Sequence, residues 1–248
     1  MKTVLITGAA KRIGRTIALD LAAQGWAVAA HYHASQDEAE ALASEIIAKG
    51  GKACAVKANL SIEAETLTLI PQAIKALGPL TALINNASIF ERDEATSATR
   101  ASWDTHMETN LRAPFVLIQE FAAQLPKGKK GAVVNLLDQR VWNLTPHFTS
   151  YTISKAGLWT ATQTLALALA PHIRVNAIGP GPILPSARQS QKEFNRQCAG
   201  TPLGHGAKPE EIAAAVRFLL DSPSVTGQMI AIDSGQHLSN PAAFTTVE

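Results

Sequence analysis

The stretch Thr3-Val4-Leu5-Ile6-Thr7-Gly8-Ala9-Ala10-Lys11-Arg12-Ile13-Gly14-Arg15 decides the fold of this chain. Its first five residues are an apolar and β-branched run, which predicts a buried parallel strand. The glycine-containing turn runs into residues 16–24, whose helical pattern ends at Gly25. Strand, glycine turn and helix in this order are the context that a dinucleotide site requires, because glycine lets the backbone approach a pyrophosphate and a helix N-terminus offers free N–H groups. Arg12 replaces the middle glycine of the usual fingerprint, so a plain turn between unrelated elements stays open as an alternative.

The rest of the chain alternates between short apolar runs and helical patterns of about a dozen residues. Further strands are predicted at Ala27–His33, Ala53–Val56, Thr81–Ile84, Ala132–Leu137, Ile173–Ala177 and Met229–Ile232. Helices are predicted at Asp37–Lys49, Ile62–Ala76, Asp104–Gln124, 149–170 and from Pro209 to about Leu220. Residues 182–208 are rich in Pro, Gly, Ser and Gln, and we expect a mobile loop that covers the active site. The alternation predicts βαβ units and a parallel sheet within one α/β domain spanning residues 1–248.

Composition narrows the class of protein. The chain has 248 residues, of which 46% are hydrophobic and 17% charged, as in a globular domain. A formal net charge of +2 is too small to indicate a nucleic-acid surface. Cys54 and Cys198 have no paired spacing, so neither a metal site nor a disulfide framework is expected. No apolar stretch is as long as a membrane span, and we expect a cytoplasmic protein without membrane or nucleic-acid partners.

The end of the second predicted strand bears on the choice of cofactor. Proteins that prefer NAD place Asp or Glu there, roughly 20 residues after the glycines, to bind the ribose hydroxyls. This chain has His31-Tyr32-His33-Ala34-Ser35 instead. A 2′-phosphate would meet no carboxylate there and could accept hydrogen bonds from His33, Ser35 and backbone N–H groups, which favours NADP(H). Ordinary polar residues at a strand end are the alternative interpretation.

Tyr151-Thr152-Ile153-Ser154-Lys155 is the candidate for acid–base chemistry, with Asp138 upstream of it. In a helix over 149–170, Tyr151 and Lys155 lie one turn apart on the same face. An ammonium near a phenol favours the phenolate, so we expect the Tyr pKa to fall from about 10 towards neutrality, as a general acid near pH 7 requires. By itself this spacing also fits a solvated helix face.

A proline interrupts the predicted helix 104–124. Pro114 has no N–H and cannot donate to the carbonyl of Asn110, which leaves that oxygen available to water or another donor. A kink without function explains the same pattern equally well.

These motifs, taken together, resemble those of the short-chain dehydrogenase/reductase family over nearly the whole chain. The matching features are Thr7-Gly8 with Gly14, Asn85-Asn86-Ala87, Asn110, Tyr151 with Lys155, Val175-Asn176 and Pro180-Gly181. Within the family, the glycine turn, His31-Tyr32-His33, Asn86-Ala87-Ser88-Ile89-Phe90 and an Asp at 138 resemble the pteridine reductase and dihydromonapterin reductase branch. The resemblance implies a doubly wound Rossmann fold, with a seven-stranded parallel sheet and helices on both faces, assembled as a homotetramer.

The resemblance also implies site residues. Tyr151 would donate the proton, Lys155 would lower its pKa and hold the nicotinamide ribose, Asn110 would hold a relay water, and Asp138 would bind the Tyr hydroxyl. NADP(H) contacts would come from Gly8, Arg12, Ile13, Gly14, His31, His33, Ser35, Asn59, Leu60, Asn86, Ala87, Tyr151, Lys155, Pro180 and Gly181. A pterin substrate would contact Arg12, Ser88, Phe90, Asp138 and Tyr151, stacked between Phe90 and the nicotinamide. No metal is implied.

Two positions depart from that branch. Ala34 stands where those proteins usually have an Arg for the 2′-phosphate, which predicts a modest preference for NADPH over NADH. Asn59 replaces an Asp at the adenine pocket, and its amide can still hydrogen-bond the adenine amino group.

The sequence therefore predicts an NADPH-dependent reductase that transfers hydride to a pterin, either a dihydropterin such as dihydromonapterin or dihydrofolate. Asp138 favours this over a carbonyl substrate, because an ionised Asp only accepts hydrogen bonds whereas the Ser usual in the family can donate to a carbonyl oxygen. A carbonyl or 3-oxoacyl-thioester reductase is the alternative within the family. A non-catalytic dinucleotide sensor is the alternative outside it, although a sensor needs none of Tyr151, Lys155 and Asn110.

The predicted helices 104–124 and 151–170 bear on assembly. Leu158, Trp159, Leu165 and Leu169 are too many apolar residues for one inner stripe. We expect their outer faces to pair with symmetry mates in a tetramer with two-fold axes.

Overall fold

Seven strands form one sheet in which every neighbouring pair is parallel. They are β1 (Thr3–Ile6), β2 (Ala27–Tyr32), β3 (Ala53–Lys57), β4 (Ala82–Asn85), β5 (Gly131–Leu136), β6 (Ile173–Pro180) and β7 (Met229–Ile232). Their spatial order is β3-β2-β1-β4-β5-β6-β7. The computed structural model describes residues 2–186 and 188–239. The doubly wound Rossmann fold and the seven strands predicted from the sequence are confirmed.

Helices connect the strands. They are α1 (Arg12–Ala23), α2 (Gln36–Ala48), α3 (Glu63–Thr66), α4 (Leu69–Leu77), α5 (Arg100–Met107), α6 (Ala113–Gln124), α7 (Thr149–Ala168), α8 (Gln191–Ala199) and α9 (Pro209–Asp221). Short 3₁₀ turns lie at Gln139–Val141 and Gln236–Leu238.

The strands are apolar on both faces because both faces are covered. In β1, Val4 and Ile6 pack with α1, α2 and α9, whereas Leu5 between them packs with α4, α6 and α7. Successive side chains of a strand point to opposite faces, so one continuous apolar run supplies two cores. All three of these β1 side chains are fully buried.

Two predicted elements differ from the structure. The helix expected over 62–76 is divided into α3 and α4, and Pro71 explains the division because it cannot donate to the carbonyl of Leu67 and is tolerated only in a first turn. The loop expected over 182–208 contains α8. Ser190 and Glu193 form a reciprocal capping box at its start, a signal hidden by the polar composition of the segment.

The break predicted at Pro114 takes the form of a π-helical turn at Glu108–Arg112 between α5 and α6. The N–H of Ala113 reaches back five residues to the carbonyl of Glu108. One wide turn lets the chain pass the proline without ending the helix. This turn places Asn110, which is fully buried, at the carboxyl edge of the sheet.

Of the four α7 and post-α7 residues on which the predicted assembly was based, one is buried and three are partly buried. Leu158 is buried, and Trp159, Leu165 and Leu169 pack against cores of the same chain. The large apolar side chains that α7 exposes are Ile153 and Leu167, which are 43% and 83% exposed.

Among the described residues, no helix has the length and apolarity needed to cross a bilayer. The same residues contain no cluster of three or more His, Cys, Asp or Glu that could hold a metal ion. The cytoplasmic location expected from the sequence stays a prediction.

Candidate active site

Most of the predicted site residues lie at the carboxyl edge of the sheet, at or just after the ends of β1 to β6, whereas Tyr151 and Lys155 lie on α7 and Asn110 lies in the π-helical turn. The strand order reverses between β1 and β4, so the connections that leave these neighbours depart to opposite faces and open a crevice. Gly8 follows β1, Asn86 follows β4 and Asp138 follows β5, which brings these distant parts of the chain together.

The turn after β1 is shaped by close approaches and left-handed residues. Gly8 has φ of 63°, and a Cβ on Gly14 would lie 2.3 Å from the Gly8 carbonyl oxygen. Arg12 has φ of 53° at the place of the missing middle glycine. The left-handed conformation explains why glycine is usual there, and a side chain at this position costs about 1–2 kcal/mol. The guanidinium of Arg12 donates to the carbonyls of Leu184 and Pro185, which fixes the segment after β6 to the turn.

His31 and Asn86 hold the turn in place. The His31 Nδ1 accepts from the Gly8 N–H at 3.0 Å, and its Nε2 lies 3.1 Å from the Ala58 carbonyl oxygen. Burial lowers the pKa of His31 to about 4, so the ring is neutral. The Asn86 amide donates to the carbonyls of Thr7 and Gly8. The cofactor contact predicted for His31 is therefore corrected, because both ring nitrogens are engaged with the backbone and the residue acts as a structural brace.

The surroundings of α1 fit an anionic dinucleotide. The helix begins after Lys11 without a side-chain cap, and its first turn has no acidic residue. Its first N–H groups are thus available to a phosphate. At the end of β2, His33 and Ala34 are exposed and Ser35 is half-buried, as a site for a 2′-phosphate requires.

On the predicted adenine side of the crevice, the side-chain oxygen of Asn59, which was expected to meet the adenine amino group, is already hydrogen-bonded within the protein. The Oδ1 of Asn59 accepts from the Ser61 N–H and hydroxyl, at 3.0 and 2.8 Å. Leu60, beside it, is buried. The contacts predicted for Ile13, Leu60, Ala87, Pro180 and Gly181 stay predictions.

Tyr151 and Asp138 form the hydrogen bond predicted from the resemblance. The Tyr151 hydroxyl donates to Asp138 Oδ2 at 2.9 Å. The other carboxylate oxygen accepts from the backbone N–H of Arg140 at 2.8 Å. Because its two oxygens have different partners, the carboxylate is held with one oxygen towards the phenol.

Lys155 lies beneath this pair and is only 2% exposed. Its ammonium donates to the Leu136 carbonyl oxygen at 2.7 Å and lies 5.8 Å from the centre of the Tyr151 ring. Burial lowers the pKa of Lys155 to about 8, and the Asp138 carboxylate opposes the shift. A buried ammonium that is this close to a phenol and a carboxylate supplies the positive charge of the site.

Asn110 uses its side chain to hold the loop after β4. Its Oδ1 accepts from the Ile89 N–H at 2.8 Å, and its Nδ2 donates to the Ile89 carbonyl at 2.9 Å. The Ser88 hydroxyl contacts the same Oδ1 at 3.3 Å. Asn110 thus clasps both backbone groups of the residue before Phe90, and the relay water expected at its carbonyl stays a prediction.

Phe90 belongs to an aromatic cluster. Its ring stacks on Phe148 with centroids 4.3 Å apart, and it meets Tyr151 edge-on at 4.7 Å. The guanidinium carbons of Arg140 and Arg188 lie 5.1–5.8 Å from both stacked rings. Because each lies at similar distances from both ring centres, the arginines flank the stack, and neither covers the face of Phe90 that points away from Phe148.

A cavity of about 410 Å³ opens beside this cluster. Its walls include the predicted residues Arg12, Phe90, Asp138, Pro180 and Gly181. They also include side chains of α8 and of the segment before it: Ile183, Leu184, Ser186, Arg188, Gln189, Glu193, Phe194 and Gln197. Ser88, predicted to contact substrate, is exposed and is not among the lining residues. The volume is within the range of small-molecule sites.

Most of the wall residues were not named as site residues from the sequence, and among them are the three that surround Phe90: Arg140, Phe148 and Arg188. Phe148 directly precedes α7, and an aromatic residue just before the Tyr-x-x-x-Lys helix was a usable signal. Arg140 and Arg188 lie in irregular segments, where spacing carries no information on which side chains meet.

A family profile described as Enoyl-(Acyl carrier protein) reductase matches residues 8–237. The chain belongs to the short-chain dehydrogenase/reductase family. It is similar to the structure of FolM alternative dihydrofolate reductase 1 from Brucella canis complexed with NADP, with 47% identity, 96% of this chain and 94% of that chain covered, and a TM-score of 0.94. The corresponding Brucella suis structure, also with NADP, has 46% identity, 96% coverage of each chain and a TM-score of 0.91.

Sequence similarity also extends to another group of reductases. The 3-oxoacyl-[acyl-carrier-protein] reductase FabG of Staphylococcus epidermidis is 33% identical over 242 residues, which cover 96% of this chain and 99% of that protein. The family, together with NADP in the similar structures, identifies this protein as an NADP-dependent reductase.

The end of β2 generates a prediction about cofactor preference. The substitution His33→Asp places a carboxylate where a 2′-phosphate is expected, and repulsion should raise the Kd of NADPH about tenfold or more. The Kd of NADH should change by less than about twofold, because NADH lacks that phosphate. Fluorescence titration of both cofactors against both proteins measures this. Equal losses for the two cofactors would contradict it.

The buried Lys155 generates a prediction about pH. The folded protein releases this proton near pH 8, whereas an unfolded chain holds it until about pH 10.4. Between these values the unfolded state binds more protons, so the contribution of Lys155 to the free energy of unfolding rises with pH. Relative to Lys155→Met, the wild-type Tm should therefore improve as pH rises from 8 to 10. Melting curves of both proteins across this range measure the difference, and a constant difference would refute the assignment.

Proposed function

We propose that this reductase converts a dihydropterin to its tetrahydro form, with Tyr151 as the proton donor. Support comes above all from the hydrogen bond of 2.9 Å between the Tyr151 hydroxyl and Oδ2 of Asp138, a residue of the cavity wall. NADPH, when bound, supplies the hydride to the carbon of a ring C=N bond.

Asp138 distinguishes a pterin from a carbonyl substrate. Ionised, it accepts hydrogen bonds and donates none, so it suits a ligand with ring N–H and amino groups. A carbonyl oxygen next to Tyr151 would find a second acceptor at this position instead of a second donor. The carboxylate thus favours a substrate that offers protons as well as accepting one.

Two neighbours of Tyr151, Lys155 and Asp138, bear on its donation of a proton to the ring nitrogen. The phenol is hydrogen-bonded to Asp138 of the cavity wall, and the ammonium of Lys155, 5.8 Å from the centre of the Tyr151 ring, stabilises the phenolate left behind. Before transfer the single hydroxyl hydrogen is directed at Asp138, so it must turn from the carboxylate to the ring nitrogen when the substrate is bound. Proton transfer from a group held in this way is general acid catalysis.

Phe90 supplies a flat apolar surface for a planar ring. Phe148 covers one face of it, and the flanking arginines leave the other face uncovered by their charges. Stacking of an aromatic ligand on such a face contributes about 0.5–1.5 kcal/mol beyond its buried area. Two similar structures described as alternative dihydrofolate reductases, at 46–47% identity, support a pterin ring as the substrate class.

A 3-oxoacyl-thioester reductase is the second candidate. FabG proteins match this chain over nearly their full length at 33% identity, and they are reductases of that class. The two candidates share Tyr151 and Lys155, so these residues do not discriminate between them. Asp138 and the other residues of the cavity wall are the ones that can discriminate between the two candidates.

A substrate panel tests the proposal. NADPH consumption is followed with dihydrobiopterin, dihydromonapterin, dihydrofolate and an acetoacetyl thioester under identical conditions. We expect the highest kcat/KM with a dihydropterin. A higher value with the thioester would transfer the assignment to the second candidate, and NADPH oxidation with any substrate excludes a non-catalytic sensor.

The role of Asp138 generates a prediction. Asp138→Ser replaces an acceptor by a group that donates to carbonyl oxygens, so kcat for a dihydropterin should fall about tenfold or more while acetoacetyl thioester reduction rises. Asp138→Asn is the matched control, since its amide also donates but keeps the shape of the carboxylate. Steady-state kinetics with both substrates measure the exchange. A parallel loss with both substrates would show that Asp138 serves the fold and not the choice of substrate.

We also propose a homotetramer, now on different residues. Ile153 and Leu167 on α7 and Trp103 on α5 are 43%, 83% and 38% exposed. Large apolar side chains exposed on adjacent helices are a feature of surfaces that pair with another copy. Light scattering at micromolar concentration should give the mass of four chains, and Leu167→Glu should reduce it. A monomeric mass for the unmodified protein would refute the assembly.

A further inference from the structure

The segment Ile89–Glu94, which carries Phe90, is fixed at several successive backbone groups. Asn110 clasps both groups of Ile89, and the Phe90 carbonyl accepts from Arg188 at 2.6 Å. The N–H of Glu91 donates to His106 Nε2 at 3.1 Å. Phe90 is thus held between two buried side chains, Asn110 on one side and His106 on the other.

His106 belongs to none of the catalytic or cofactor groups described above, yet it is completely buried. Its Nε2 accepts a hydrogen bond from the Glu91 N–H, so the hydrogen of the neutral ring must sit on Nδ1, which lies 2.7 Å from the Ser150 hydroxyl oxygen. The Ser150 hydroxyl donates in turn to Asp93 Oδ2. A series of hydrogen bonds thus runs from the Glu91 N–H through His106 and Ser150 to the Asp93 carboxylate. One neutral tautomer of His106 satisfies every donor and acceptor in this series.

This series of hydrogen bonds is connected to both aromatic neighbours of Phe90, Tyr151 and Phe148. Ser150 precedes Tyr151 in α7, and the His106 ring lies 6.0 Å from the Tyr151 ring. The Asp93 carbonyl accepts from the N–H of Phe148, the stacking partner of Phe90. His106 therefore connects the backbone that positions Phe90 to the helix that positions Tyr151.

We propose that His106 is a positioning residue for the substrate, which acts by holding the Glu91 amide and thereby setting the ring of Phe90 against Phe148 and Tyr151. The proposal rests on the proposed function in one respect only, namely that Phe90 contacts the substrate. It is independent of which hydride acceptor occupies the cavity.

Two amide substitutions separate the two hydrogen bonds of the ring. In His106→Asn the side-chain amide reaches the position of Nδ1, so the bond to Ser150 is retained and the acceptor for Glu91 is lost. In His106→Gln the amide oxygen reaches the position of Nε2, so the acceptor for Glu91 is restored. Ser102→Ala is the control, because Ser102 donates to Asp93 at 3.0 Å without contacting Glu91.

Kinetics and hydrogen exchange provide independent measurements. We expect His106→Asn to raise the KM of the best substrate about fivefold, as the loss of one hydrogen bond implies, with kcat and the Kd of NADPH nearly unchanged. In the same variant the Glu91 amide should exchange at least about tenfold faster, since its only described acceptor is gone. His106→Gln and Ser102→Ala should remain within about twofold of wild type in both measurements.

The unmodified protein offers a further test. Acidification protonates Nε2, which then cannot accept from Glu91, so the wild-type KM should rise at acid pH while that of His106→Gln stays flat. The charged groups around the ring are Asp93 and Glu91, which favour protonation, and Lys155, which opposes it; burial lowers the pKa of His106 more than these raise it.

The outcomes distinguish this inference from the proposed function. If no pterin is reduced but another substrate is, the same variants and measurements apply to that substrate. If His106→Asn and His106→Gln raise KM equally, or if His106→Asn lowers Tm and NADPH affinity together, the positioning role is overturned whatever the substrate. Fast Glu91 exchange with an unchanged KM would likewise overturn it, because it would show that the amide bond does not serve substrate binding.

Discussion

The hydrogen bond from the Lys155 ammonium to the Leu136 carbonyl holds the catalytic part of the molecule together. It joins a helix on one face of the sheet to the last residue of β5, two residues before Asp138. A buried ammonium without partners would cost several kcal/mol, so the helix is forced into the one position where the carbonyl receives it. The contact between Tyr151 and Asp138 follows from this placement, because both are carried by the elements that the bond joins.

A second set of hydrogen bonds fixes the turn after β1, as the Lys155 bond fixes Tyr151 relative to Asp138. The Thr7 hydroxyl accepts from the N–H groups of Asn86 and Ala87, and the Asn86 amide returns two bonds to the turn. His31 closes the arrangement from β2. The polar residues past the strand ends thus hydrogen-bond to one another. These bonds shape the backbone of the turn that would bind phosphate, without a contribution from the phosphate itself.

Sequence patterns were sufficient to predict the sheet and the contact between Tyr151 and Lys155, and physical reasons explain where they were not sufficient. Apolar runs of four to eight residues have few alternatives when helical patterns separate them, so the seven strands were accessible. Tyr151 and Lys155 lie on a regular helix, where spacing determines which side chains meet. His31 could not be assigned from spacing, since a histidine that braces backbone and one that binds phosphate look alike in sequence. Arg140, Phe148 and Arg188 meet Phe90 through irregular segments, and only tertiary structure shows such contacts.

The position of α8 affects how readily substitutions can alter the cavity wall. None of its residues is buried, and its start is stabilised by the local box of Ser190 and Glu193. Yet Glu193, Phe194 and Gln197 form part of the cavity wall. A wall that contributes little to the two cores can be altered without much loss of folding free energy. Point mutations on this helix can therefore change substrate selectivity while the surroundings of Tyr151 and the affinity for NADP(H) stay the same.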